Sequence, residues 1–263
     1  MSEQKENMSR RDFLAGTGGF AAGAAVGAAL GGGVFNLFSA QAAENAAPPS
    51  PWKYVKLDPE VVRKKGYDLY HNGGCMYGAA AAIITSLQEK VGYPYTMLPL
   101  DAYRYGAGGA GGWGTLCGAP NGAAAAMSLV LPNADIGKVV SELMGWYSEA
   151  SLPTTKHDSY AKFTNQVQSV AGNPLCHASV SNWCAASKKK ENSDERKNRC
   201  AKVTGDTAAQ AVVLLNAYFD KTFAPVFKIS AESESCYNCH VTRMSNTLTK
   251  MDCTPCHPNA HKK

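Results

Sequence analysis

Two short motifs near the end of the chain carry its most specific chemistry: Cys236-Tyr237-Asn238-Cys239-His240 and Cys253-Thr254-Pro255-Cys256-His257. Two thiols separated by two residues match the span between the vinyl groups of a haem, to which they add as thioethers. The adjoining histidine then reaches the iron from the same side. Cys236, Cys239, Cys253 and Cys256 therefore read as covalent attachment points for two haem c groups, with His240 and His257 as proximal ligands. The same cysteines also spell Cys-x2-Cys-x13-Cys-x2-Cys, a zinc-ribbon spacing. A ribbon does not require His after each second Cys. Here His follows both, although the chain has only six, so haem is the better reading.

Each iron needs a sixth ligand or an open site. The remaining histidines, His71, His157, His177 and His261, are the distal candidates, and Met244 and Met251 are the nearest methionines. Two histidines per iron would hold the potential below that of a Met/His pair. His261 lies four residues after His257 and would share its face on a helix, so it suits the other haem or one in a partner chain better. The two proximal histidines are close in sequence, which makes the haems neighbours.

Nine cysteines exist, and five fall outside the haem motifs: Cys75, Cys117, Cys176, Cys184 and Cys200. An odd number cannot all pair within the chain. Three readings stay open: inert buried thiols, disulfides in an oxidising compartment, or ligands of an iron–sulfur cluster. Cys75 and Cys117 fall at predicted helix starts, where thiolate is favoured. The glycine-rich run from Gly106 to Gly114 must be a loop. It lacks the Gly-Lys-Ser/Thr ending of a phosphate cradle, and reads instead as room for close backbone approach beside Cys117.

The elements that must position these groups are helical. Asp58-Pro59-Glu60 reads as an N-cap with Pro at the first helical position, opening a helix to about Tyr70. A second helix is expected from Cys75 to Gly92 and a third from Leu116 to Leu131. Ile136, Val139, Val140, Leu143, Met144 and Tyr147 recur at helical spacing. Tyr160, Phe163, Val167 and Val170 predict another helix, residues 176–188 one more, and Asp206 to about Thr222 the last. The charged run 187–202 reads as a solvated face or loop. Nothing alternates at period two, so the fold class is all-α: a multi-helix body over 58–229 and a short, mostly irregular dihaem segment over 230–263.

Residues 1–42 read as a twin-arginine-type signal peptide. Ser9-Arg10-Arg11-Asp12-Phe13-Leu14 precedes a Gly/Ala-rich apolar stretch, and Ala40-Gln41-Ala42 offers small residues for cleavage. The expected product is periplasmic, with no permanent membrane anchor. Residues 43–57, with Pro48-Pro49-Ser50-Pro51, read as a linker. Twin-arginine export carries folded proteins, whereas haem c is attached outside to an accessible peptide. A C-terminal haem segment satisfies both demands and leaves room for a second cofactor in the body. The net charge of +5 is modest and forms no nucleic-acid-like stripe.

Gly74-Cys75, the loop leading to Cys117-Gly118-Ala119, and then Cys176 and Cys200 resemble the redox-active family named for its C-GCAxxG-C-C motif, with Met76 standing where the motif has Ala. Joined to two haem sites, this body is similar to the split-Soret cytochrome c family of sulfate-reducing bacteria. The resemblance spans nearly all of the mature chain. It implies an α-helical homodimer with two closely stacked bis-histidine haems per subunit, and a histidine from the partner subunit completing a haem. It also implies an iron–sulfur centre in the body, singling out Cys75, Cys117, Cys176 and Cys200 as its ligands and leaving Cys184 spare. The leading expectation is an electron carrier that exchanges electrons with redox partner proteins. A redox enzyme acting on a small molecule at an open haem or cluster is the alternative, and a zinc-stabilised interaction protein the third.

Overall fold

The structure is a computed structural model that describes residues 47–258 and residue 260. The expected signal peptide, the first residues of the expected linker and His261 lie outside the described residues. Among the described residues the regular structure is helical, with two isolated antiparallel bridges and no strand. Helix α1 spans Pro59–Val91, α2 Gly118–Ser128, α3 Asn133–Glu149, α4 Cys176–Ser187, α5 Asp194–Phe219 and α6 Ala231–Tyr237. No described helix is long and apolar enough to cross a membrane.

The two long helices α1 and α5 form the central pair, and α2 packs against both. Asp58 caps α1 by accepting from the Glu60 and Val61 amides, and Pro59 follows at the first turn, as its sequence predicts. The two helices expected over 58–70 and 75–92 run as one, broken at Gly74, where φ is +81°. Only glycine adopts that backbone without strain. The break gives Cys75 a fresh helix start in the middle of a long helix.

Between the helices lies a closely packed core of alanine and aliphatic side chains. Ala79, Ala80, Ala82, Ile83, Ile84 and Leu87 of α1 meet Met127 of α2, Leu143 of α3, and Val212 and Leu215 of α5, all fully buried. Each large aliphatic contributes roughly 1.5–3 kcal/mol on burial. A separate, smaller cluster contains Cys75, Cys117 and Cys176.

Three expectations are corrected. The charged run is helical from Asp194, capped by the Ser193 hydroxyl, so the expected last helix begins a dozen residues early and runs without interruption. Its Arg199 and Lys202 are buried, because the charges partition to two faces and one faces inward. Residues 158–173 form turns rather than a helix. Val167 and Val170 are exposed, and side chains hold this backbone: Trp183 Nε1 donates to the Val167 carbonyl (2.8 Å) and Asn182 to the Val170 carbonyl (3.1 Å). The helical spacing of its apolar residues therefore marks no common face. Finally, the expected linker is docked from Trp52 onward. The Trp52 amide donates to the Leu129 carbonyl (2.7 Å), its ring meets Tyr95 edge-on, and Tyr54 stacks on Phe219.

Candidate redox site: a four-cysteine cavity and an exposed haem segment

Four separate elements bring Cys75, Cys117, Cys176 and Cys200 to one cavity of about 390 Å³. Cys75 follows the Gly74 break, Cys117 is the N-cap of α2, and Cys176 is the first residue of α4. Three helix N-termini, each carrying partial positive charge, thus converge. Cys200 comes from α5, which also presents Arg196 and Arg199 to the cavity.

The wall between Cys117 and Cys176 is a short antiparallel bridge at Leu116 and Leu175. The Cys117 amide donates to the Pro174 carbonyl and the Cys176 amide to the Thr115 carbonyl, both at 2.8 Å. The glycine-rich loop forms another wall, with Gly108, Gly112 and Gly114 lining the cavity. Close approach governs Gly118, where an added Cβ would lie 2.5 Å from Cys75 Sγ and 2.6 Å from the Gly106 carbonyl oxygen.

Cys75, Cys117 and Cys176 share one buried cluster. Hydrogen bonding to Cys117 and burial push the Cys75 thiol well above its ordinary value. Cys117 is pushed up to about 12, chiefly by its hydrogen bond with Cys176 and by burial. Tyr147 donates to Ser179 (2.9 Å) beneath them, and burial raises its phenol. Without a cation, Cys75 and Cys117 hold their protons.

An iron centre fits this arrangement. Among the described residues no three His, Cys, Asp or Glu side chains gather round a single point, as one bare ion would require. The four sulfurs instead border a cavity, which suits a cluster whose several irons spread their ligands apart. No disulfide joins them; all described cysteines are free. Cys184, on α4, does not line the cavity.

The haem motifs present the opposite picture. Cys236 sits on α6, and Asn238–Arg243 continues as a π turn carrying Cys239 and His240. In the second motif the His257 amide donates to the Cys253 carbonyl (2.9 Å), closing one helical turn. Such a turn sets the first Cys, second Cys and His on one side. The two motifs are tied together at their starts: the Cys253 amide donates to Ser233 Oγ (2.8 Å), and Ser230 hydrogen-bonds Asp252. Phe227 and Val226 anchor the segment, both donating backbone amides to Glu142 of α3 at 3.0 Å. Lys250 Nζ also donates to Ser141 Oγ of α3 (2.7 Å), while Cys256 is exposed and Leu248 is 99% exposed. An apolar cavity of about 520 Å³ lies between α3 and this segment, bordered by Met144, Phe227, Ile229 and Met251.

The distal candidates fall in different places. His71 is exposed on α1, edge-on to Tyr67 and Tyr70. His177 lines the mouth of the cysteine cavity, away from the motif histidines in sequence and beside Cys176. His157 is fully buried, with both ring nitrogens engaged: Nε2 with Asp206 (3.0 Å) and Nδ1 with Tyr160 (2.9 Å). From that position it offers no lone pair to an iron. It belongs to a network in which Asp206 also accepts from Arg63 and from the Thr154 amide (2.8 Å) and hydroxyl (2.6 Å). Burial works against the Asp206 charge, yet the hydrogen bonds from His157 and Thr154 and the Arg63 cation hold its carboxyl below the ordinary range.

Known proteins match both halves. The family model described as "Putative redox-active protein (C_GCAxxG_C_C)" covers residues 77–214, taking in Cys117, Cys176 and Cys200 and starting just after Cys75. The split-Soret cytochrome c of Desulfovibrio desulfuricans is 36% identical over 95% of this chain and 95% of its own. The chain belongs to the split-Soret cytochrome c family. A solved structure from Desulfovibrio desulfuricans, reported as a novel iron centre in its split-Soret cytochrome c, superposes with a TM-score of 0.73 at 37% identity. It covers 78% of this chain and 90% of that one.

Sequence reasoning did not single out Arg196, Arg199 or Tyr70, which also line the cysteine cavity. Reading 187–202 as a loop hid the two arginines. The available signal was the spacing of Arg196, Arg199 and Cys200, which share one face once the run is taken as helix.

Proposed function

We propose that this protein is a periplasmic dihaem c-type cytochrome that transfers electrons and carries an iron–sulfur centre in its body. Four cysteines, distant in sequence and drawn from four elements, border one cavity in a chain that also bears two haem-attachment motifs; that coincidence carries the reading. Haem c would be held by Cys236, Cys239 and His240, and by Cys253, Cys256 and His257. Both groups supply one-electron redox chemistry when bound. The chain's own residues supply the rest. The cavity walls shelter the cysteines, whereas the haem segment stays accessible, as attachment after export requires. Of the four distal candidates, the exposed His71 of α1 and the C-terminal His261 are favoured. Assembly as a homodimer would let a histidine of a second copy complete a haem. Its partners would be redox proteins.

The test is haem and iron counting on protein purified without oxygen, with EPR of the reduced state. Two haems by pyridine haemochrome, iron in excess of two per chain, acid-labile sulfide and a reduced-cluster signal are expected. Iron equal to haem, with no cluster signal, would exclude the centre; zinc without haem would exclude the cytochrome.

A further inference from the structure

The cysteine cavity contains a charge that nothing else in the body neutralises. Arg199 is 2% exposed. Its Nη2 donates to Ser179 Oγ (3.0 Å) and its Nη1 lies 3.9 Å from Cys200 Sγ, while its buried Nε has no hydrogen-bond partner. Among the described residues it has no ion-pair partner. The other two buried cations behave differently: Arg63 is paired with Asp206 and Lys202 with Asp158 (2.7 Å). Leaving a buried guanidinium unpaired is strongly unfavourable, and a buried N–H without an acceptor adds to that. A site built this way calls for an anionic occupant. The converging helix N-termini push in the same direction.

Arg196 sits one turn earlier on α5 and lines the same cavity, but its charge is shared. Nη2 pairs with Glu191 Oε1 (2.6 Å), and Nε donates to the Glu191 carbonyl. Glu191 is the one acid among the residues lining the cavity. Arg199 is therefore the full counter-charge and Arg196 a partial one.

We propose that Arg199, assisted by Arg196, is the positioning residue that neutralises the thiolate-held centre and sets its reduction potential. This rests on reading the cavity as an iron centre. Adding an electron makes such a centre more negative, so a fixed cation beside it favours the reduced state and raises its midpoint. Arg199 would thus make the body centre a better electron acceptor. Glu191, by offsetting Arg196, would lower the same midpoint.

The experiment is an EPR-monitored redox titration of full-length holoprotein, with iron and sulfide counted in each sample. It compares wild type, Arg199→Met, Arg199→Lys, Arg196→Gln and Glu191→Gln, using the haem midpoints as internal reference. Arg199→Met is expected to lower the centre's midpoint and to reduce iron retention at least twofold. Arg199→Lys should recover most of the midpoint. Arg196→Gln should give a smaller lowering, and Glu191→Gln a shift of opposite sign. An unchanged midpoint in Arg199→Met with full iron would overturn the proposal. So would equal lowering by Met and Lys, which marks a purely structural role. If Arg199→Met does not fold, the two partial variants decide: opposite shifts support the proposal, and no shift in either overturns it. Wild-type protein without iron beyond its haems would remove the underlying reading, and the proposal with it.

Discussion

The cysteine cavity and the haem segment use the same side chain in contrasting ways. In the cavity, four cysteines come from elements spread over more than a hundred residues and are largely shielded from solvent. In the segment, four cysteines come from two contiguous pentapeptides and stay partly or wholly exposed. A covalent cofactor needs only local spacing, because the bond itself fixes the geometry. A cluster held by coordination needs ligands fixed beforehand by tertiary packing, with water kept away. The segment is tied to α3 at a few points only, by the Val226 and Phe227 amides on Glu142 and by Lys250 on Ser141.

If the two regions are that separable, damage to one should leave the other standing. The sharpest break is Cys253→Ser with Cys256→Ser. Haem content is expected to fall from two per chain to one, with body iron retained and helical circular dichroism unchanged. Loss of the body iron in the same variant would show that the regions assemble together.

The reverse break strikes the body far from any cysteine. Asp206→Asn removes the buried carboxylate from the Arg63 guanidinium, leaving it only the exposed Glu60, and disturbs the Thr154 and His157 hydrogen bonds. The expected cost is about 3–5 kcal/mol of body stability, read by chemical denaturation. The haem absorbance of protein that survives purification should be unaltered. Closer to the site, Gly118→Ala would push a methyl group against Cys75 Sγ and the Gly106 carbonyl. Overpacking of this kind costs about 1–3 kcal/mol, and here it also moves a ligand. Body iron should drop while haem stays at two per chain, a result that iron and haemochrome assays separate directly.

The same contrast explains what was legible in the sequence. The reading of Cys236 to His240 and Cys253 to His257 as haem motifs draws on no fold, because haem attachment is a local rule. The caps at Asp58 and Gly92 and the periodicity of α3 were local too, and the helices they mark are present. The gathering of Cys75, Cys117, Cys176 and Cys200 at one cavity was not derivable from spacing, which left disulfide, inert thiol and cluster equally open; resemblance to a family supplied it. What failed were inferences from composition where partners decide. Residues 194–202 look solvated until Ser179, Asp158 and Cys200 are known to receive Arg199 and Lys202. Val167 and Val170 look like a helix face until Trp183 and Asn182 are seen to bind their carbonyls.

The smallest expected effect concerns proton linkage in the cavity. In metal-free protein the Cys75 and Cys117 thiols are pushed up, by hydrogen bonding to neighbouring thiols first and by burial. In the unfolded chain a thiol titrates near about 8.5. The folded state therefore keeps protons that the unfolded state releases, so this contribution is fully present below that value and is lost as pH rises above it. Between pH 8 and 9 the metal-free body should lose about 1 kcal/mol of stability from these two thiols together. Cys75→Ser with Cys117→Ser should flatten the slope, because serine does not titrate there. Iron should reverse its sign of action, since ligands must lose their protons to bind: holoprotein should gain iron retention over the same interval in which the metal-free body weakens. Parallel denaturation curves at pH 8 and 9, with and without iron, check both halves. A metal-free body equally stable at both values would mean that these thiols titrate in the fold as they do in the unfolded chain, and one that gains stability from pH 8 to 9 would mean that they are already ionised in the fold.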